Sequence, residues 1–230
     1  MNYGDSLGKC GFCGKAFGKA AIMRHLESCG ERLAKRAAGK AGRAHSGKRV
    51  FELFIEGRRS PQYWMAVEIP VGSTLMDLDG FLRREWLECC GHLSAFAING
   101  KTYNSSEESA VEFNEETMGV KLADVLSSNA KFFHEYDFGS TTELSLKVVS
   151  ERKGSTAGNA PAILARNEPP AVPCESCGGR ATRVCAYCID RGKGWSCGKC
   201  SKKHECGDEA MLPTVNSPRV GTCGYRGKPY

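Results

Sequence analysis

The sequence predicts an α+β fold, an antiparallel-sheet roll with helices on one face, and a small cysteine-rich module at each end. Three observations predict it. Between residues 49 and 153 the apolar pattern runs two strands, helix, two strands, helix, two strands, an order that builds an antiparallel sheet with segregated helices. Most of the 13 cysteines lie outside that stretch, in two groups with metal-ligand spacing. Charge divides the same way. Residues 1–50 carry 11 Lys+Arg against 3 Asp+Glu, residues 51–170 carry 11 against 18, and residues 171–230 carry 10 against 5.

The chain opens with Cys10-x2-Cys13-x11-His25-x3-Cys29. Two residues between cysteines let one tight turn aim two thiolates at one tetrahedral ion. His25 and Cys29 are four apart and share a helical face. The pattern resembles a ββα zinc finger with Cys replacing the last His, and it predicts a finger over residues 1–30 with Phe17 and Ile22 beneath its helix. The spacing from Cys13 to His25 is one residue shorter than the ~12 usual in DNA-reading fingers. Residues 31–48 are basic and rich in Ala and Gly, and read as a linker whose first part can extend the finger's helix. Nucleic-acid phosphates are one expected partner of this arm, through Lys15, Lys19, Arg24, Arg32, Lys35, Arg36, Lys40 and Arg43. No aromatic residue interleaves the charges of residues 31–48, so base stacking there is not expected.

In the body, residues 49–153, VFELFIEG and YWMAVEIP alternate as half-buried strands do. Ser73 is the expected N-cap of a helix through TLMDLDGFLRREWLECC, with Leu75, Leu78, Leu82, Trp86 and Cys89 as its apolar stripe. A hairpin turns at Asn99-Gly100. The acidic SEESAVEFNEETMG reads as a loop, VKLADVLSS as a short helix, and KFFHEYDFG with TTELSLKVVSER as a last hairpin. Residues 154–172 carry glycines and prolines and read as a flexible linker.

Residues 173–230 hold three further hooks, Cys174-x2-Cys177, Cys185-x2-Cys188 and Cys197-x2-Cys200, then His204, Cys206 and Cys223. Eight ligands fill two tetrahedral sites. The expected arrangement is a cross-brace, MYND-like in its interleaving: Cys174, Cys177, Cys197 and Cys200 on one ion, with Cys185, Cys188 and two of His204, Cys206 and Cys223 on the other. Sequential pairing is the alternative. Sites with four protein ligands leave no position for water and are structural. About three zinc ions per chain are expected. Seven thiolates and two zincs would lower the tail's net charge from +5 to +2, which leaves the basic character with the N-terminal arm.

TLMDLDGFLRREW, HLSAFAING, VKLADVL and HEYDFG resemble, in kind and order, the motifs of the plasmid pRiA4b ORF-3-like family. WLECCGHLSAF and LPTVNSPRVGTCGY are similar to a zinc-tailed branch of it. The resemblance covers about residues 49–152 and implies an α+β roll in a mobile-element or plasmid context; it carries no settled activity. Ser140 stands where the family has Asp and Thr142 where it has Trp, which puts any family site built on those two in question.

In the body only Cys89, Cys90, His92, His134 and Asp137 suggest chemistry. Adjacent cysteines make no two-residue hook, and buried cysteine behaves as a small hydrophobe. No Gly-rich phosphate loop or serine-nucleophile signature occurs. The expected function is a zinc-binding, non-enzymatic binding or adaptor protein whose partner is nucleic acid or another protein. The alternative is a metal-assisted hydrolase at His92, His134 and Asp137. The N-terminus has no apolar core of a signal peptide, and no apolar run is long enough to cross a bilayer, so a cytoplasmic, thiol-reducing setting is expected.

Overall fold

In a computed structural model, residues 6–41, 49–153 and 160–228 are described. Strand β3 (Arg49–Gly57) pairs antiparallel with β4 (Trp64–Pro70), from Val50 opposite Pro70 to Glu56 opposite Trp64. Alternation sends Phe51, Leu53, Ile55, Met65, Val67 and Ile69 to one face, into the main core. Glu52, Phe54, Trp64, Ala66 and Glu68 are left for the other face.

Helix α1 (Lys19–Ser28) and α2 (Gly30–Ala41) belong to the N-terminal region, and α3 (Leu75–Leu82) follows β4. The N-cap of α3 is Thr74, one residue beyond the expected Ser73. Thr74 Oγ1 accepts from the Asp77 N–H at 3.1 Å, and the Asp77 carboxylate accepts from the Thr74 N–H at 2.8 Å, a reciprocal cap. Leu75, Leu78, Leu82 and Trp86 are fully buried. The helix is shorter than expected. A single π-helical turn, Arg83–Leu87, closes it, and the backbone is extended at Glu88, so Cys89 and Cys90 lie beyond the helix.

Strands β5 (Ser94–Ile98) and β6 (Lys101–Asn104) form the expected hairpin, with left-handed φ of 50° at Asn99 and 79° at Gly100. The acidic segment expected as a loop instead holds α4 (Glu107–Glu112) and the short β7 (Glu116–Thr117). Ser106 caps the helix by accepting from the Ser109 N–H, and Glu107 and Glu108 favour its positive end. Helix α5 (Leu122–Val125) and the hairpin of β8 (Lys131–Tyr136) and β9 (Thr142–Lys153) complete the body.

The described parts of the two expected linkers hold regular elements. Within residues 154–172, Ala162–Asn167 form a strand, β10, and residues 30–41 form α2. β10 joins the N-terminal hairpin, β1 (Leu7–Cys10) and β2 (Ala16–Gly18), to the body. One ten-stranded sheet results, in the order β2-β1-β10-β4-β3-β9-β8-β5-β6-β7, antiparallel except for β6 with β7. Cys10 lies opposite Ala165, and a Cβ on Gly8 would come within 2.4 Å of the Trp64 ring, so the hairpin sits close against the sheet. Ile22 and Leu26 of α1 pack on Trp64, Ala66, Leu164 and Ala165. The body's helices therefore cover one face and the N-terminal module covers part of the other.

The glutamates on that second face are buried and paired. Arg32, 2% exposed, donates to Glu52 at 2.5 Å and to Glu68 at 3.4 Å, and Arg152 bonds both carboxylates as well. Burial would raise the Glu52 pKa, but hydrogen bonds from Arg152 and the charge of Arg32 hold it below the usual carboxylate range.

The tail folds as a three-stranded antiparallel sheet with β11 (Arg183–Cys185) between β12 (Trp195–Ser196) and β13 (Met211–Pro213). Its Val172, Ala181, Val184, Trp195, Leu212 and Val220 join the body's own core. Among the described residues no helix is long and apolar enough to cross a membrane.

Candidate metal centres

At the N-terminus, β1 ends at Cys10 and the chain turns back through Cys13, with the Gly14 N–H donating to the Cys10 carbonyl at 3.0 Å. Helix α1 carries His25, and Cys29 follows its last residue. Cys10 Sγ lies 3.8 Å from Cys29 Sγ, and Cys13 Sγ lies 3.3 Å from His25 Nε2. The Phe17 ring stacks on His25 at 3.8 Å and fixes the imidazole.

In the tail the hooks interleave. Cys174, Cys177, Cys197 and Cys200 form one group; Cys185, Cys188, His204 and Cys206 form another. Cys177 and Cys197 are 3.8 Å apart, Cys188 and Cys206 are 3.7 Å apart, and Cys188 Sγ is 3.5 Å from His204 Nε2. β11 delivers Cys185 from the strand that β12 and β13 flank, which is how one sheet serves both groups. Gly194 fits close behind: a Cβ there would meet the Cβ atoms of Cys185 and Cys188 at 2.9 Å.

These distances can be compared with a bound ion. Zn–S bonds of about 2.3 Å at tetrahedral angles put two thiolates about 3.8 Å apart, and a thiolate and an imidazole nitrogen about 3.5 Å apart. The sulfur pairs match that edge, and they are far from the about 2.05 Å of a disulfide. In each group all four ligand atoms lie within 4.8 Å of one another. These groups could hold metal ions.

The hooks share a local device. In each Cys-x2-Cys the first sulfur accepts hydrogen bonds from the backbone N–H groups two and three residues on: Phe12 and Cys13 for Cys10, Ser176 and Cys177 for Cys174, Tyr187 and Cys188 for Cys185, Lys199 and Cys200 for Cys197. Such donors favour the thiolate. With a further bond from the Cys197 N–H leading, they draw the Cys174 thiol down to about 6. Two of the second cysteines, Cys188 and Cys200, shift the opposite way. Hydrogen bonds to Cys197, Cys177 and Cys174 push Cys200 up to about 12, and those to Cys185 and Cys206 help push Cys188 up to about 11. Four sulfurs this close cannot all ionise alone; a divalent cation removes the conflict.

Of the three candidates for the second tail group, His204 and Cys206 complete it and Cys223 is left out. Cys223 lies against the body, 3.8 Å from Cys90 Sγ and 3.2 Å from His92 Nε2. The three residues of the hydrolase alternative do not converge. His134 is fully buried with Nε2 2.7 Å from Asp79, whose carboxylate also accepts from Ser94 and Arg83. Asp137 lies 3.4 Å from His92, but its carboxylate is held by Arg219 at 2.6 Å. Among the described residues His92, His134 and Asp137 form no common ligand group.

The basic arm is also partly committed. Arg32 is buried between two glutamates, and Lys19 is paired with Glu56. Lys15, Arg24 and Lys35 are exposed and Arg36 is half-exposed, with Lys35 and Arg32 each 5.8 Å from the Phe12 ring centre. Arg43 lies outside the described residues, as does the side chain of Lys40.

A family model described as plasmid pRiA4b ORF-3-like protein matches residues 51–185. The match runs past the expected body boundary at residue 153, through β10 and into the first tail hooks. No curated protein matches the chain. A crystal structure of a protein of unknown function from Methanosarcina mazei is similar at 19% identity and a TM-score of 0.46, covering 58% of this chain and 76% of that one.

Proposed function

This chain belongs to the plasmid pRiA4b ORF-3-like protein family, and we propose that it is a non-enzymatic binding protein organised by structural zinc, which meets nucleic acid through the basic face of its N-terminal finger. The observation that carries the reading is the completeness of the ligand sets. The finger and both tail groups each gather four residues that could ligate one ion, and a site with four protein ligands keeps no open position for water or substrate. The zinc ligands are then Cys10, Cys13, His25 and Cys29 in the finger. In the tail they are Cys174, Cys177, Cys197 and Cys200 on one ion, and Cys185, Cys188, His204 and Cys206 on the other. The metal's contribution is folding energy, and these residues hold and orient it.

Charge supports the choice of partner. Lys15, Arg24, Lys35 and Arg36 lie on the finger and α2, and none of the four is tied to a carboxylate among the described residues. The body, net negative over residues 51–170, repels a phosphate backbone and confines contact to this face. One finger spans only about three base pairs, so binding is electrostatic and weakly sequence-specific.

The test is a titration of duplex and single-stranded DNA and RNA over salt, with the intact protein and with Lys15→Glu, Arg24→Glu, Lys35→Glu and Arg36→Glu combined. Charge reversal leaves β1 and β2 in the sheet, whereas deleting residues 1–49 would strip both strands and Arg32 from the fold. The intact protein should lose affinity linearly in log salt. The reversed variant should bind at least ~10-fold more weakly at low salt, with a flatter slope. Equal affinity would place the contact elsewhere. No binding at low salt would sink the nucleic-acid reading in favour of a protein partner.

A further inference from the structure

Three cysteines remain outside the three groups above, and the fold gathers them beside His92. Cys89, Cys90 and His92 follow the π-helical turn that ends α3, and Cys223 comes from the far end of the tail. Cys89 Sγ and Cys90 Sγ are 3.6 Å apart, Cys90 and Cys223 are 3.8 Å apart, and His92 Nε2 is 3.0 Å from Cys90 and 3.2 Å from Cys223. All four ligand atoms lie within 4.8 Å of one another. The sulfur separations are the tetrahedral edges seen in the other groups, and none is a bond. The nitrogen–sulfur edges are a few tenths of an ångström short of the about 3.5 Å of a loaded tetrahedron, a gap the ring can open.

The backbone on both sides is shaped for this meeting. Gly91, at φ 79°, turns the chain between Cys90 and His92, and the Glu88 carboxylate holds that turn by accepting from the Gly91 N–H at 2.6 Å and from the Tyr136 hydroxyl at 3.0 Å. Cys223 itself takes a left-handed φ of 47°, a conformation that costs a side-chain-bearing residue energy and recurs at functional positions. Beneath the group lies Arg219, 0% exposed, which donates to Cys89 Sγ at 3.3 Å, to the Asp137 carboxylate at 2.6 Å and to Thr142 Oγ1 at 3.0 Å. A buried cation beside the sulfurs suits a group that carries net negative charge once three thiolates hold one divalent ion.

The cysteine count points the same way. The chain has 13 cysteines. The finger takes three, the tail groups four and three, and this group the remaining three, so that no thiol is left over.

We propose that Cys89, Cys90, His92 and Cys223 form a fourth structural zinc site, which ties the end of the body's longest helix to the last turn of the tail. Loading it releases the three thiol protons to solvent and closes a bridge between residues 131 positions or more apart in sequence. Two of its ligands, Cys90 and Cys223, are exposed, so it is the site most open to exchange.

Native mass spectrometry of the zinc-loaded protein, beside Cys223→Ser and Cys223→His, tests it. The serine variant should carry one zinc fewer than the unaltered chain, and the histidine variant should keep the full number. Reading a difference of one makes the result independent of how far the other three sites fill, and so of the reading given above. Cobalt substitution supplies a second readout: the Cys223→His protein should lose thiolate-to-cobalt absorption from one sulfur without losing an ion. Equal zinc in the unaltered and serine proteins, or cobalt absorption unchanged in the histidine variant, would overturn the proposal.

Discussion

Stripping the metal should unfold the tail and leave the main sheet standing. The tail's own hydrogen-bonded strands are two or three residues long, and the apolar side chains it buries lean on the body's core rather than forming one of their own. A segment of this size does not support itself by apolar burial alone. Structural zinc sites in small domains supply an apparent ~10–16 kcal/mol each, more than the net stability of most whole domains. β3, β4, β8 and β9 carry no residue of a ligand group; their core is Phe51, Leu53, Ile55, Met65, Val67 and Ile69 with Phe132, Leu144, Leu146 and the apolar side of α3. With a strong chelator, amide exchange in β11, β12 and β13 should approach the unfolded rate while those four strands stay protected. Unchanged protection in the tail would contradict the idea that metal folds it.

Arg219→Met should destabilise the loaded protein by about 3–5 kcal/mol, because removing one partner of a buried pair leaves the other charge uncompensated. The residue left behind is Asp137, 5% exposed, at a left-handed φ of 66°. Burial would raise its carboxyl, but the Arg219 guanidinium and the N–H groups of Ser140 and Gly139 hold it below the usual range. Arg219 also lies over the Tyr136 ring at 4.7 Å and donates to the Ser140 carbonyl at 3.2 Å. Lysine cannot reproduce that fork of donors, so Arg219→Lys should recover little. Urea unfolding gives the loss; a change under about 1 kcal/mol, the range of an exposed pair, would mean the pair is solvated. Combining Arg219→Met with Asp137→Leu should recover part of the loss, since the stranded charge is then gone.

The sheet of the body was legible because its alternation is strong: β3, β4, β8 and β9 each present one apolar face. The hooks were legible because two residues between cysteines is a local property. What the sequence concealed depends on distant partners. β10 is a short strand set between glycines and prolines, and only the edges offered by β4 and β1 order it. Arg32 looks like any other lysine or arginine of a basic arm until Glu52 and Glu68 are known to share the face beneath it. The acidic segment became α4 because Ser106 caps it and Ala110 finds a buried place. Cys89, Cys90 and His92 gave no hook, and their partner Cys223 lies more than a hundred residues away. The signal that could have found them is Cys90-x-His92 together with the thiols left over once the finger and tail are filled.

The metal content of the protein, purified without added metal and counted against its own sulfur, tests the whole organisation most directly. Thirteen cysteines and six methionines put nineteen sulfurs in each chain, an internal standard that needs no protein concentration. Four full ligand groups predict four zincs per nineteen sulfurs, and three would remove only the site at Cys223. One zinc or none per nineteen sulfurs would contradict a protein folded around its cysteines.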